Sequence, residues 1–580
     1  MGAAGSGLRS LFVGVGFVGS APAAAGSAMR AGVVAGGRLP TALFGALVAL
    51  SVAPLWAVAW VPTQDGGNHV EAVTALLRWS RSALLQQYYL PNVGPQPNWL
   101  TQILFAALVQ VMTPAVAEKV VLTGYAVLLP VAFRAELPGT ARGRWAALAI
   151  FPFIHAFPFH MGFWNFCYSL VLFFVAVGFW NRTRGRLDLG RGLAFTGITF
   201  VLFVAHSVSL ASAFAAITAI VAWRAGLDLA RAWARPARRR RVARAWARRA
   251  AATYGWALPA IGLLGFFLVH QPKPFSYRPP LAEYLKHFAS LYALMSLDKR
   301  ELIATSAVAL VLAGTVAGGL ARRRTRRARP VDGWLVASAV ATALYLAMPD
   351  SAADGAQLTD RLLLYPFFAL ALWIGWSALP VRRVRAAGLA LAALFVALTG
   401  GRIVKYRELD RSFAEYTSVA PHLPEGSIVL PLTLSPYGPR EGGDALGKKP
   451  AYRVEVFRHV AGYVVTERQG IDLDNSQATT KHTPLRWVPH LDPFHVVATV
   501  PFGIEAKPAP CVDLSRYAAT GGRIDYVLLW GRASEVAGDA CGERLLAQLA
   551  GGWERVYVSE PLGLMQLYRA KGGTTGSASR

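Results

Sequence analysis

Ten residues, Pro62-Thr-Gln-Asp65-Gly-Gly-Asn-His69-Val-Glu71, place two carboxylates and an imidazole just after the first long apolar stretch of the chain. Asp65 and His69 are four apart, so on a helix they share a face and could hold a divalent ion such as Mg2+ or Mn2+. Gly66 and Gly67 would let the backbone come close to a bound molecule. Asp65 also stands where a helix should begin, and an aspartate there serves as an N-cap. The two roles are open and not exclusive. A second polar group lies in His155-Ala-Phe-Pro-Phe-His160-Met-Gly-Phe-Trp-Asn165. His155 and His160 there fit an interfacial aromatic belt as well as they fit a binding site. His206, within an apolar run, is either a buried, hydrogen-bonded residue or the lining of a pocket, and the first is preferred.

The elements that must position these residues are membrane helices. Of 580 residues, 54% are hydrophobic and only 16% charged, where a soluble protein has about a quarter charged. Several apolar runs reach the roughly 18–20 residues that cross a bilayer. The net charge of +27 comes largely from arginines between those runs, such as Arg238–Arg241 and Arg322–Arg327. That is the signature of cytoplasmic loops and excludes nucleic acid as the natural partner. The usage rich in Ala, Arg and Gly points to a GC-rich bacterial genome and so to a bacterial plasma membrane.

Residues 1–38, rich in Gly, Ala and Ser, read as a disordered leader, and the first span as Thr41–Val61. Ala72–Tyr89 sets Leu76, Leu77, Leu84 and Leu85 beside Arg78, Arg81, Gln86 and Gln87, which predicts an amphipathic helix on the membrane surface. Trp99–Met112 is apolar but only about 21 Å long as a helix, too short for an easy crossing. It reads as a second interfacial helix, with Ala115–Phe133 as the first return. Further spans are expected at 145–160, 163–180, 192–208, 209–223, 252–269, 301–320, 332–348, 361–379 and 386–403. Every arginine-rich loop then faces one side. This gives about eleven spans, the N-terminus in the cytoplasm and the C-terminus outside.

From about residue 405 the chain reads as a soluble α/β or α+β domain. Ser427–Leu434, Phe494–Val500, Arg523–Trp530, Val556–Ser559 and Leu564–Tyr568 predict strands, and Cys541–Ala550 a helix between strands. Of three cysteines, Cys167 lies in an apolar run as a packing residue. Cys511 and Cys541 could pair as a disulfide if the domain lies outside the cytoplasm.

This order of parts resembles the GT-C superfamily of membrane glycosyltransferases, which includes protein O-mannosyltransferases, oligosaccharyltransferase and the lipid A aminoarabinose transferases. The pattern is a first span, an outer loop opening on an Asp, an interfacial helix, a Pro-containing turn, a second interfacial helix and the second span. Asp65, Ala72–Tyr89, the turn from Gly94 to Asn98, Trp99–Met112 and Ala115–Phe133 follow it, and the likeness extends over about residues 40–270. The resemblance implies transfer of a sugar from a polyprenyl-phosphate donor to a glycan, lipid or protein acceptor outside the cytoplasm. Asp65 would be the general base, with His69, Glu71, His160 and Asn165 as candidates to contact sugar or phosphate. Relatives that use a metal add a carboxylate in the second outer loop, and the turn from His155 to Asn165 has none. A lipid phosphate also needs outer-side cations, and Lys273, Arg278 and Arg361 are the candidates. Arg361 heads a span where the family places a phosphate-binding arginine. It could instead pair with Asp360 or act as a snorkelling anchor, and Lys273 and Arg278 could be solvated loop charges.

Two other readings compete. A transporter or flippase would be expected to show an inverted repeat or paired broken spans, and the sequence has neither. A non-catalytic scaffold of the same architecture is favoured by the absent second acidic motif. The sequence carries no P-loop, Rossmann glycine motif or zinc-finger spacing.

Overall fold

The computed structural model describes residues 27–94, 96–270, 276–323, 327–351, 355–438, 450–480 and 483–571. The expected leader therefore lies outside the described residues as far as 26, and the first helix begins at Ser27. Among the described residues, nine helices are long and apolar enough to cross a membrane, from Arg38–Trp56 to Val381–His422, and Leu189–Ala205 is a shorter apolar helix. The protein is a multi-pass membrane protein with a C-terminal α/β domain.

The expected span at 145–160 is not one helix. Ala141–Ala146 passes into a 3-10 turn at Ala147–Phe153 and then a short helix at Phe157–His160. Pro152 and Pro158 remove backbone donors and break the helical ladder. Every residue from Trp145 to Met161 is buried, so this irregular backbone is enclosed by protein, the condition under which it survives at membrane depth. Phe368 packs on both Phe153 and Phe174 at 5.1 Å, joining the broken segment to its neighbours.

The first outer loop also differs from expectation. Instead of one amphipathic helix at 72–89, helix Gly66–Arg78 ends in a 3-10 turn, and Ser82 starts a new helix, Ala83–Tyr88, by accepting a hydrogen bond from the Leu85 amide. The residues from Gly66 to Ala75 are buried, because the C-terminal domain sits on them. Leu100–Leu108 is the second short helix of the loop.

The last long helix, Val381–Thr417, runs without a break through residue 404, so the expected domain boundary at 404/405 falls inside it. It carries the chain from the bundle into a five-stranded sheet. The strands are β2 (Ile428–Thr433), β3 (Ile471–Asp472), β5 (Tyr526–Trp530), β6 (Trp553–Val558) and β7 (Met565–Ala570), in the order β3-β2-β5-β7-β6. β2 is parallel to β3 and β5; β7 is antiparallel to β5 and β6. Phe494–Val500 is not a strand. Asp492 accepts from the Phe494 amide and Pro493 occupies the first helical position, so Pro493–Val496 forms one helical turn. Helix Ala540–Gly552 takes the place of the expected one, and Cys541 at its start is bonded to Cys511.

Two contacts fasten this domain to the first outer loop. β1 (Tyr89–Pro91) pairs antiparallel with β4 (Leu485–Trp487). Helix Ala461–Glu467 lies against Gly66–Arg78 so closely that a Cβ on Gly67 would strike the His459 carbonyl, and one on Gly462 would strike the Gly67 carbonyl. Backbone on both sides leaves nothing flexible to yield. Gly67→Ala is therefore expected to cost about 1–3 kcal/mol, read as a lower unfolding temperature and faster proteolysis between residues 417 and 470. Gly45→Ala, with open space around it in the first span, is expected to be neutral.

Candidate functional site

The outer end of the first span turns at Thr63–Asp65, held by backbone bonds from Gln64 to the His160 carbonyl (2.9 Å) and from Asp65 to the Met161 carbonyl (3.2 Å). Gly162 follows at φ +79°, and a Cβ there would lie 3.0 Å from the Asp65 Cβ. Only glycine serves both the left-handed backbone and the close approach. Asp65 occupies the N-cap position of helix Gly66–Arg78, yet its side chain makes no capping hydrogen bond. The carboxylate instead lines a cavity of about 400 Å3.

That cavity gathers residues from five parts of the chain, one of them His206 at the junction between helices Leu189–Ala205 and Ser207–Arg231. Asp65, His69, Asn98 and Gln102 come from the first outer loop; Phe163, Trp164 and Asn165 from the second; Gln357 and Arg361 from the head of a later span; and Glu455, Arg458, His459 and Glu505 from the C-terminal domain. A larger cavity, about 640 Å3, lies at the other ends of the spans, among Arg182, Arg224, Arg249 and Trp246. Its carboxylates are already paired, Glu136 with Arg182 at 2.7 Å and Asp228 with Arg231 at 3.2 Å.

Burial, aided by the Glu505 carboxylate, raises the Asp65 carboxyl to about 7, while a hydrogen bond from Gln64 and the charges of Arg361 and Arg458 oppose the rise. His69 is lowered to about 4 by burial, so its ring is neutral. Its Nε2 donates to the Gly162 carbonyl (2.8 Å), which leaves Nδ1 to accept from Gln102 (3.0 Å). Both ring nitrogens are therefore committed. The spacing argument that paired Asp65 with His69 on a metal meets this obstacle, because a neutral imidazole has one acceptor and Gln102 has taken it.

The other candidates separate clearly. Asn165 lines the cavity, but its amide braces the first loop, donating to the Asn98 carbonyl (2.7 Å) and accepting from the Thr101 amide (2.8 Å). Arg361 lines it too. Its guanidinium lies over the Phe163 ring at 4.2 Å, its Nε is buried without a hydrogen-bond partner, and it makes no ion pair among the described residues. The alternative pairing with Asp360 is not formed, because Asp360 binds Arg453 at 2.8 Å.

Three candidates lie elsewhere. Glu71 is buried behind the helix, accepting from Tyr89 (3.2 Å) and Asn475 (3.1 Å); it joins the loop to the C-terminal domain. His160 is fully buried, with Nε2 on the Tyr406 hydroxyl at 2.9 Å. Arg278 is exposed and bonds the Leu346 carbonyl (2.9 Å). Lys273 lies outside the described residues. Gly66 and Gly67 make room for the C-terminal domain: a Cβ on Gly66 would meet the Tyr463 hydroxyl at 2.5 Å and Glu118 at 2.7 Å.

Sequence reasoning missed Glu455, Arg458, His459, Asp474 and Glu505. Arg458 links Glu455 (2.6 Å) to Glu505 (3.0 Å), and His459 Nε2 lies 4.0 Å from both Asp65 and Glu505. The only signal was the density of charge in Glu455-Val-Phe-Arg458-His459, which in a soluble domain reads as surface.

No family model matches the chain, and no curated protein matches it. Among solved structures, the chain is similar to ArnT from Cupriavidus metallidurans, solved bound to undecaprenyl phosphate. The identity is 9% and the TM-score 0.47, over 92% of this chain and 98% of that one. That degree of likeness assigns neither a family nor an activity.

Burial, followed by the nearby Asp472 charge, pushes the Glu71 carboxyl well above its ordinary value, which favours the uncharged form, and the amide of glutamine has the same shape without the charge. Glu71→Gln is expected to preserve stability to within about 1 kcal/mol. Glu71→Ala, which strands Tyr89 and Asn475, should cost about 1–3 kcal/mol, measured by thermal unfolding in detergent.

Proposed function

We propose that this protein is an inverting membrane glycosyltransferase of the GT-C type, taking a sugar from a polyprenyl-phosphate carrier to an acceptor outside the cytoplasm. The observation that carries the reading is the Asp65 carboxylate. It stands at the helix start without capping it and faces a cavity that also holds the unpaired guanidinium of Arg361.

In the proposed reaction, the acceptor hydroxyl gives its proton to Asp65 as its oxygen forms a bond to the anomeric carbon. The bond from that carbon to the phosphate oxygen breaks, and the electron pair leaves with the polyprenyl phosphate. Arg361 binds that phosphate through two parallel N–H donors. Its placement over Phe163 fixes the plane of the guanidinium without using its hydrogen-bond donors. His69, held neutral and rigid by Gly162 and Gln102, shapes the wall beside the base.

The Cys511–Cys541 bond fits a domain in an oxidising compartment. With the arginine-rich loops at the opposite ends of the spans, this supports a bacterial plasma-membrane protein with its C-terminal domain outside.

Asp65→Asn is expected to reduce transfer of radiolabelled sugar from undecaprenyl phosphate to an envelope extract by about 10²–10⁴-fold, with an unchanged unfolding temperature. Full activity in that variant would remove the proposal. Arg361→Lys should keep the charge but lose the bidentate geometry, raising KM for the donor more than it lowers kcat; an unchanged KM would place the phosphate elsewhere.

A further inference from the structure

Three side chains of the C-terminal domain converge beside Asp65. His459 precedes helix Ala461–Glu467, Asp474 follows β3, and Glu505 ends the 3-10 turn Gly503–Glu505. One ligand atom from each lies within 4.8 Å of the others. His459 Nδ1 is 3.9 Å from Asp474 Oδ2, and His459 Nε2 is 4.0 Å from Glu505 Oε1. None of these separations is a hydrogen bond. Only one ring nitrogen of His459 can face a given ion, so the separation that bears on a site is that of one ligand atom from each residue, all within 4.8 Å of one another, the spacing expected around a cation about 2.0–2.4 Å from each.

The second observation is the state of the polar atoms. His459 and Asp474 are each 4% exposed. His459 Nδ1, Asp474 Oδ1 and Glu505 Oε1 have no hydrogen-bond partner. Buried polar groups are almost always partnered, and a buried carboxylate without a partner is costly. Each of the three residues thus keeps a lone pair without a partner, and one ligand atom from each can reach the others' neighbourhood, which suits a ligand that accepts lone pairs, as a cation does and a water molecule does only in part. The charges agree. Asp65, Asp474 and Glu505 meet two guanidinium groups, Arg361 beside Asp65 and Arg458, and Arg458 is shared with Glu455.

We propose that His459, Asp474 and Glu505 bind a divalent cation of the Mn2+ or Zn2+ type, for which a mixed imidazole and carboxylate set is suited. Asp65 Oδ1 lies 4.0 Å from His459 Nε2, so the proposed site adjoins this carboxylate. The first outer loop would thus obtain from the C-terminal domain the acidic partner that the second outer loop lacks. Resting on the transferase reading, the ion's role is to hold the donor phosphate against Asp65. Arg458 keeps the Glu505 carboxylate oriented, as a positioning residue.

The test separates the site from the reaction. Full-length protein in detergent, stripped with EDTA, is titrated with Mn2+ and the free ion followed by electron paramagnetic resonance. One equivalent is expected to bind, with a rise in unfolding temperature. Asp474→Asn and Glu505→Gln, which keep shape, should each weaken binding at least about 10-fold and remove the thermal shift. If one of them does not fold, the other decides. Binding that is absent, or equal in both variants and the parent, overturns the site. Mn2+ binding without sugar transfer leaves the site standing and defeats the transferase reading; transfer without Mn2+ or Zn2+ binding does the reverse.

Discussion

The site depends on one backbone contact. Helix Gly66–Arg78 and helix Ala461–Glu467 touch main chain to main chain at Gly67 and Gly462, and this closeness brings His459 within 4.0 Å of the Asp65 carboxylate. Any side chain at either glycine would hold the helices apart. The β1–β4 pairing and the buried Glu71–Asn475 contact reinforce the same joint from the far end of the loop. The membrane bundle and the C-terminal domain therefore line one cavity together.

A second theme is the allocation of cations. Arg402 is buried on Glu301 at 2.8 Å, Arg453 on Asp360 at 2.8 Å, and Arg458 between Glu455 and Glu505. Each such pair would leave a costly buried charge if it lost a partner, so these three arginines hold structure. Arg361 is left with aromatic faces and an unfilled Nε. A guanidinium that faces a cavity without an ion pair among the described residues is available to an anion in a way that a solvated surface arginine is not.

The irregular segment from Ala141 to His160 serves the site from behind. A continuous helix there would have its backbone carbonyls used internally. Ending it at Met161 frees two carbonyls to receive the Gln64 and Asp65 amides. His160 contributes through its main chain, while its ring is anchored on Tyr406 of the long last helix. That helix reaches back as well, with Asp410 accepting from the Ala59 and Trp60 amides at the end of the first span.

Much of this architecture was legible in the sequence, because hydrophobic length and arginine placement are local properties governed by the bilayer. The nine long helices, the short Leu100–Leu108 and four of the five expected β-runs follow from such local signals, whereas Asp65 and Arg361 were singled out through the resemblance in the order of parts. The interruption at 145–160 did not stand out, since an apolar run reads alike whether it is helical or broken by prolines. The roles of His69, Glu71 and His160 depended on tertiary structure. Spacing shows which residues can share a face, but not whether Gln102, Asn475 or Tyr406 has already claimed them. The approach of Arg458, His459, Asp474 and Glu505 to Asp65 lay beyond any sequence reading, because the contact joins residues about 400 positions apart and is set by two glycines at a helix crossing.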